Sequence, residues 1–407
     1  MVRSISETFF ERAGKVIPGG IYGHVSPGAG LPENFPHYCQ DALGCRFRDV
    51  DAKEWIDFMC GFGAVLHGFR NPCIEKAVEE QRKSGSIFNQ PSPLMIDLAE
   101  RLIEQIDFAQ WAVFAKNGSD LTTWAIRVAR EQTGKQYIIK ATGAYHGVDA
   151  WCDPGFGGRI SSDRQHILEF KWNQIDQLED LTKKYSGKVA GLILTPYHHP
   201  SFSPSELPLP QFWQNVEEIC NRNEMILILD DVRCGGRLHD QGSHRYFGFT
   251  PDLAVYSKAL GNGYAISACV GREDLRESAS EVFLTGSCWN DAYSMAAAIA
   301  SLKLSIESKV AQSVLIKGQD FSSRLERVAQ EQKIPLRMTG PPSMPYPWIE
   351  GDNNLFELQK FCRFCADEGL YFHPHHNWFI SNSLDDEAIN ETMDKVSLAL
   401  EKMKRVS

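Results

Sequence analysis

The chain has 407 residues, 43% of them hydrophobic and 11% aromatic. This composition excludes disordered, collagen-like and coiled-coil architectures and, at roughly 150 residues per domain, suggests two or three domains. A formal net charge of −10 argues against a nucleic-acid partner or an acidic-membrane surface, because a negative body repels phosphate except where a local site overrides it. The eleven cysteines lie scattered without framework spacing and read as reduced thiols. No stretch reaches the roughly 18 apolar residues that a membrane span needs, so a cytoplasmic protein is expected.

In chain order, the polar, helix-like start ends at Pro18-Gly19-Gly20. A Gly/Pro-rich stretch follows, and then Cys45–Asp51 and Glu54–Asp57 alternate around a turn as in a hairpin. Residues 1–55 are expected to form an N-terminal arm and hairpin packing with the C-terminal domain. Between about residues 73 and 300, helical patterns alternate with short apolar runs, WAVFA at 111–115, YIIKA at 137–141, VAGLIL at 189–194 and MILIL at 225–229. That alternation predicts an α/β fold: a large domain over 56–289 with a mostly parallel sheet flanked by helices, and a smaller α+β domain over 290–407. Cys362 and Cys365 sit in an apolar pattern of helical spacing and are expected to face a core rather than a metal, and no metal site is expected.

Four segments carry chemistry. The run Met225–Leu229 ends in Asp230-Asp231-Val232, two carboxylates at the end of a buried strand, where open α/β sheets bind ligands. A strand-end cap is the plain alternative. Twenty-eight residues on, Val255-Tyr-Ser-Lys258-Ala-Leu-Gly261-Asn-Gly263 places a lysine at the end of a second strand before a glycine-rich turn. Desolvation there would lower its pKa and free the amine to attack a carbonyl, although a lone lysine is ordinarily a surface residue. Asn117-Gly118-Ser119-Asp120 links a strand to a helix whose first turn can receive a phosphate, or is an ordinary N-cap. Tyr145-His146-Gly147 puts an aromatic ring at the same sheet edge, able to stack on a planar ligand. A phosphate cradle, stacking ring, buried acid and lysine are together the parts that pyridoxal 5′-phosphate requires.

These segments resemble the class III, fold-type I aminotransferases dependent on pyridoxal 5′-phosphate, closest to the glutamate-1-semialdehyde aminomutase branch. Pro18-Gly19-Gly20, Asp49–Asp57, Asn117–Asp120, Tyr145-His146-Gly147, Asp230–Arg237 and Ser257–Gly263 are similar to that branch's motifs. The resemblance implies that Lys258 holds the cofactor as a Schiff base and that Asp230 pairs with the pyridine nitrogen. It also implies that Val232 and Tyr145 pack on the ring and that Asn117, Gly118 and Ser119 take the phosphate. Ser287, with Thr285 as the alternative hydroxyl, falls where the family has a hydroxyl reaching the phosphate of a neighbouring subunit, which implies a homodimer with shared active sites.

The departures concern substrate. Where the branch has an arginine suited to a carboxylate, this chain has Ser26, which cannot make a bidentate contact; glutamate-1-semialdehyde is therefore not the expected substrate. Thr195-Pro196-Tyr197-His198-His199 replaces the branch's usual loop, bringing one histidine within reach of the cofactor's 3′-oxygen or leaving a solvated pair. Tyr22, His24, Trp151, His199 and the His373–His376 segment are expected in pocket walls. The expected activity is transfer of an amino group between an amino donor and an aldehyde or ketone acceptor. An aminomutase or epimerase is the alternative within the family, and a non-catalytic scaffold or sensor is the alternative outside it.

Overall fold

A computed structural model describes residues 4–26, 30–155, 157–200 and 202–405. The chain divides into two compact units, Met1–Asn71 with Ser313–Ser407, and Pro72–Gln312. The first unit opens with helix Ile5–Val16, whose start is closed reciprocally: Ser4 Oγ accepts from Glu7 N–H and Glu7 Oε2 accepts from Ser4 N–H. The antiparallel strands β1 (Cys39–Leu43), β2 (Arg46–Asp49) and β3 (Glu54–Asp57) follow, with Phe47 opposite Trp55.

The second unit carries a seven-stranded sheet. Its strands are β4 (Trp111–Ala115), β5 (Tyr137–Ala141), β6 (Ile167–Phe170), β7 (Val189–Leu194), β8 (Ile226–Asp230), β9 (Leu253–Tyr256) and β10 (Ser267–Gly271), in the spatial order β4-β10-β9-β8-β7-β5-β6. All pairings are parallel except those of β10, which runs antiparallel to both β4 and β9. Six strands therefore point their carboxyl ends to one edge. Both faces are covered, as the apolar runs require. Ile139, Leu192, Leu227, Leu229 and Ala254 enter one core, while Ile138, Ile193, Ile226, Ile228 and Val255 enter the other. Alternation along each strand divides its residues between the two cores.

The chain then returns to the first unit with β11 (Leu336–Thr339), β12 (Tyr346–Ile349) and β13 (Leu370–Tyr371), the last parallel to β3 with Leu370 opposite Ile56. This pairing joins the N-terminal hairpin and the C-terminal segment in one sheet. The contacts place the boundaries at Asn71 and Gln312, against the 55 and 289 expected from sequence. On one side, Phe58 and Leu66 carbonyls accept from Phe379 and Asn382 N–H groups, tying 56–71 to the C-terminal segment. On the other, helix Ala292–Glu307 packs against helices Pro72–Arg82 and Leu94–Gln105. Cys362 and Cys365 are fully buried in helix Phe356–Asp367. Among the described residues no helix is long and apolar enough to cross a membrane.

The core of the first unit is aromatic: Phe58, Phe321, Phe372 and Trp378 are fully buried, with Phe372 and Trp378 stacked at 3.9 Å. Removing the indole leaves a large cavity, so Trp378→Ala should cost about 3–5 kcal/mol, read as a lower urea midpoint. An unchanged midpoint would contradict this packing.

Candidate active site

Strand β8 is buried along its whole length and delivers Asp230, 5% exposed, to the carboxyl edge of the sheet. Asp230 Oδ2 lies 2.7 Å from His146 Nδ1, and Oδ1 accepts from Val232 N–H at 3.2 Å. The neighbouring Asp231 turns the other way and accepts from Ser243 N–H at 2.9 Å and Ser243 Oγ–H at 2.5 Å. Burial pushes its carboxyl up to about 7, against those hydrogen bonds. One carboxylate thus serves the cavity described below, while the other holds the turn that follows the strand.

His146 is buried and its Nε2 has no hydrogen-bond partner. Its proton is assigned to Nδ1, because the opposite tautomer would bury an unsatisfied N–H and aim a lone pair at a carboxylate. The ring stacks on Trp151 at 6.1 Å, and the indole N–H of Trp151 donates to Thr123 Oγ1 at 2.8 Å. Trp151 is therefore a support behind His146 and not part of the cavity wall that the sequence reading gave it. The importance of His146 was not apparent from sequence, since it stands 84 residues from Asp230.

Lys258 follows β9 and opens a tight turn, Lys258–Gly261, with φ +50°. A left-handed conformation at a non-glycine residue costs about 1–3 kcal/mol and persists only where the surroundings impose it. Here Ser257 Oγ–H donates to the Ile266 carbonyl at 2.8 Å, and a Cβ on Gly261 would stand 2.9 Å from Ile266 Cγ2. Burial pulls the amine down to about 7; the Arg233 and Arg237 guanidinium groups act in the same direction and Asp230 opposes them. The group is thus poised as a nucleophile near neutrality.

After β4, Asn117 caps the sixteen-residue helix Gly118–Thr133, and Asp120 Oδ2 accepts from Asn117 N–H at 2.8 Å. Lys116 anchors this turn from outside, with its ammonium on Asp291 Oδ2 at 2.9 Å, Ser294 Oγ at 3.1 Å and the Ala265 carbonyl at 2.9 Å. A Cβ on Gly118 would stand 2.7 Å from Val232 Cγ2, so glycine lets the helix start approach the turn after β8. Gly147, at φ +136°, has no room for a Cβ beside Ser119 Oγ, which accepts from Val148 N–H at 2.9 Å.

One cavity of roughly 280 Å³ brings together Lys258, Asp230, Val232, Tyr145, Asn117, Gly118 and Ser119, and also His199. His198 turns away and stacks on Trp172 at 5.8 Å. Arg233 and Thr195 line the cavity as well, and the sequence reading had not singled them out. Ser287 is exposed and outside this lining. Tyr22, in the first unit, is 78% exposed and caps a short turn, and the side chain of His24 lies outside the described residues. In the same unit His373 Nδ1 accepts from His375 N–H at 3.1 Å. Among the described residues no group of three or more His, Cys, Asp or Glu side chains could hold a metal.

The lining suits a flat phosphorylated aldehyde with a ring nitrogen. It offers a helix N-terminus for a dianion, a carboxylate for a pyridinium, a desolvated amine for a carbonyl, and two glycines whose missing side chains let the turns close around the cradle. The Aminotransferase class-III family profile matches residues 31–400. The aminopentol aminotransferase of Sphingopyxis macrogoltabida is 36% identical over 96% of this chain and 92% of its own length. The glutamate-1-semialdehyde 2,1-aminomutase of Acetivibrio thermocellus is 29% identical over 98% of both. Among solved structures, the FumI protein of Sphingopyxis sp. MTA144, in its PLP internal aldimine form, superposes with a TM-score of 0.96 at 36% identity, covering 98% of this chain and 96% of that one. Such likeness along nearly the full length, on a fold-type I sheet with a cradle of this composition, makes the chain a member of the class III aminotransferases, enzymes that depend on pyridoxal 5′-phosphate.

Proposed function

We propose that this enzyme moves an amino group between a small amino donor and an aldehyde or ketone acceptor, with Lys258 and Asp230 as its catalytic residues. The observation carrying this reading is their meeting in one cavity, the amine depressed to about 7 and the carboxylate held by His146. When bound, the cofactor supplies an aldehyde that joins amines and a ring that draws electrons from the substrate's amine-bearing carbon.

The chain's own residues do the rest. Asp230 holds the proton of the ring nitrogen, and the His146 Nδ1–H keeps that carboxylate oriented. Lys258 Nζ binds the cofactor at rest and, once released, carries the proton to and from the amine-bearing carbon. Asn117, Gly118 and Ser119 hold the phosphate at the helix N-terminus. Tyr145 and Val232 would flank the ring, and His199, which lines the same cavity, would meet the acceptor. Ser26, in place of the arginine of the aminomutase branch, supports an acceptor other than glutamate-1-semialdehyde.

A homodimer with shared sites belongs to the same reading. It is supported by the exposure of Ser287 outside its own chain's cavity and of Phe283, four residues earlier in the chain and 75% exposed. Cytoplasmic residence is supported by eleven free thiols.

Four outcomes test the proposal. Lys258→Ala should abolish turnover, by a factor of about 10⁴ or more, while preserving the melting curve; near-normal turnover would remove the lysine from its role. Asp230→Asn should retain cofactor but lose about 10²–10⁴-fold in rate, and a harmless substitution would dissociate the acid from the ring. Because a folded-state amine near 7 is neutral above that pH, capture of cofactor by the apoenzyme should slow about tenfold per unit below pH 7 and level off above it. A rate that climbs steadily to pH 10 would contradict the depressed amine. Turnover should also require an added amino donor, since an isomerase would proceed without one.

A further inference from the structure

Lys116 stands one residue before the phosphate turn and outside the cavity lining. Where its ammonium goes follows from the sheet. Strand β10 runs antiparallel to β4, with Ser267 opposite Ala115, so the segment that enters β10 meets the turn that leaves β4. That segment, Asn262–Ile266, also closes the turn of Lys258. Asn262 N–H donates to the Ala259 carbonyl at 3.2 Å and Tyr264 N–H to the Gly261 carbonyl at 3.0 Å, while the Ile266 carbonyl accepts from Ser257 Oγ–H at 2.8 Å. Lys116 Nζ donates into the same segment, to the Ala265 carbonyl at 2.9 Å. One side chain thus crosses from the phosphate turn to the turn that carries the lysine.

Its other two bonds make the same link by a second route. The acceptors, Asp291 Oδ2 at 2.9 Å and Ser294 Oγ at 3.1 Å, stand at the start of helix Ala292–Glu307. Two turns further along that helix, Ser301 Oγ–H donates to the Ala259 carbonyl at 3.0 Å. The helix is therefore fastened to Lys116 at its start and to the residue after Lys258 at its middle. The Lys116 and Asp291 side chains are only 16% and 17% exposed, so salt screens the pair weakly. Against burial, which raises it, hydrogen bonds from Ser294, Ser86 and Lys116 hold the Asp291 carboxyl down at about 2, and the pair stays charged throughout the neutral range.

A ligand gripped at both ends binds more tightly than its separate halves only where the two grips are held at the right distance. On the function proposed above, Asn117–Ser119 grip the phosphate and Lys258 the aldehyde. We propose that Lys116 is a positioning residue that fixes the span between those two turns, so that a molecule caught by one is presented to the other. The inference rests on that function. Lys116 touches neither end of the ligand in this role, and its effect belongs to the connection between them.

The test is binding to the apoenzyme and not turnover. Wild type and K116M are titrated by calorimetry with three probes: pyridoxal 5′-phosphate, pyridoxal, which lacks the phosphate, and inorganic phosphate, which lacks the ring. K116M should bind pyridoxal 5′-phosphate roughly tenfold or more weakly, yet bind each half within about twofold of the wild type. A phosphate affinity that falls as far as that of the whole cofactor overturns the inference, since Lys116 would then act on the phosphate turn alone or through its charge. A pyridoxal affinity that falls as far overturns it in favour of the Lys258 turn alone, and three unchanged affinities overturn it outright. Should K116M not fold, S294A removes one of the three acceptors and leaves the ion pair. The same selective loss is then expected at about threefold, and a uniform or absent loss in S294A overturns the inference. If wild-type apoenzyme takes up pyridoxal 5′-phosphate without an absorption band linked to Lys258, it is the proposed function that fails, a result distinct from all of these.

Discussion

An amine attacks a carbonyl only after losing its proton, and the cavity is arranged around that requirement. Lys258 stands at the end of a strand whose every residue is buried, in a left-handed backbone conformation, with two arginines near it. Burial is the largest influence on its proton, and the arginines add to it. Asp230 is already engaged by an imidazole and a backbone N–H, so it is held for a role other than pairing with the ammonium. Charge is thus sorted by position: a helix N-terminus at one end of the cavity, a carboxylate at the other, and a neutral amine between them in the proposed reading.

The sheet makes that sorting possible. Six strands end at one edge, and successive turns there deliver Asn117, Tyr145, Thr195, Asp230 and Lys258 from segments far apart in sequence. Close approach between turns depends on absent side chains. Gly118 admits Val232, and Gly147 admits Ser119. The supports lie one layer back: Trp151 under His146, Ser243 on Asp231, and Asp291 with Ser294 on Lys116. Each fixes a residue that itself faces the cavity or borders the turn that does.

Much of this was legible in the sequence because the signals are local. WAVFA, YIIKA, VAGLIL and MILIL are runs of buried strand formers and became β4, β5, β7 and β8. Strand-end acid, strand-end lysine and the strand–turn–helix at Asn117 follow from position alone. What escaped was non-local or atypical. Strand β10, SACVG, is built of small residues, and its Gly271 lies under Trp111 with no room for a Cβ. Strand β6 is a four-residue edge strand with little pattern to read. The parallel pairing of Leu370 with Ile56 spans most of the chain and moved the domain boundaries. An aromatic residue near the site, Trp151, was taken for a wall, because composition does not tell which layer a ring occupies. Arg233 drew no attention until the structure placed it in the cavity lining.

The central claim is a covalent one, and reduction of the holoenzyme with borohydride followed by peptide mass spectrometry tests it most directly. The account requires a stable phosphopyridoxyl group on the peptide containing Lys258 and its absence from every other lysine. A label on a different lysine, or an unlabelled Lys258 peptide from enzyme that retains the cofactor, would contradict it.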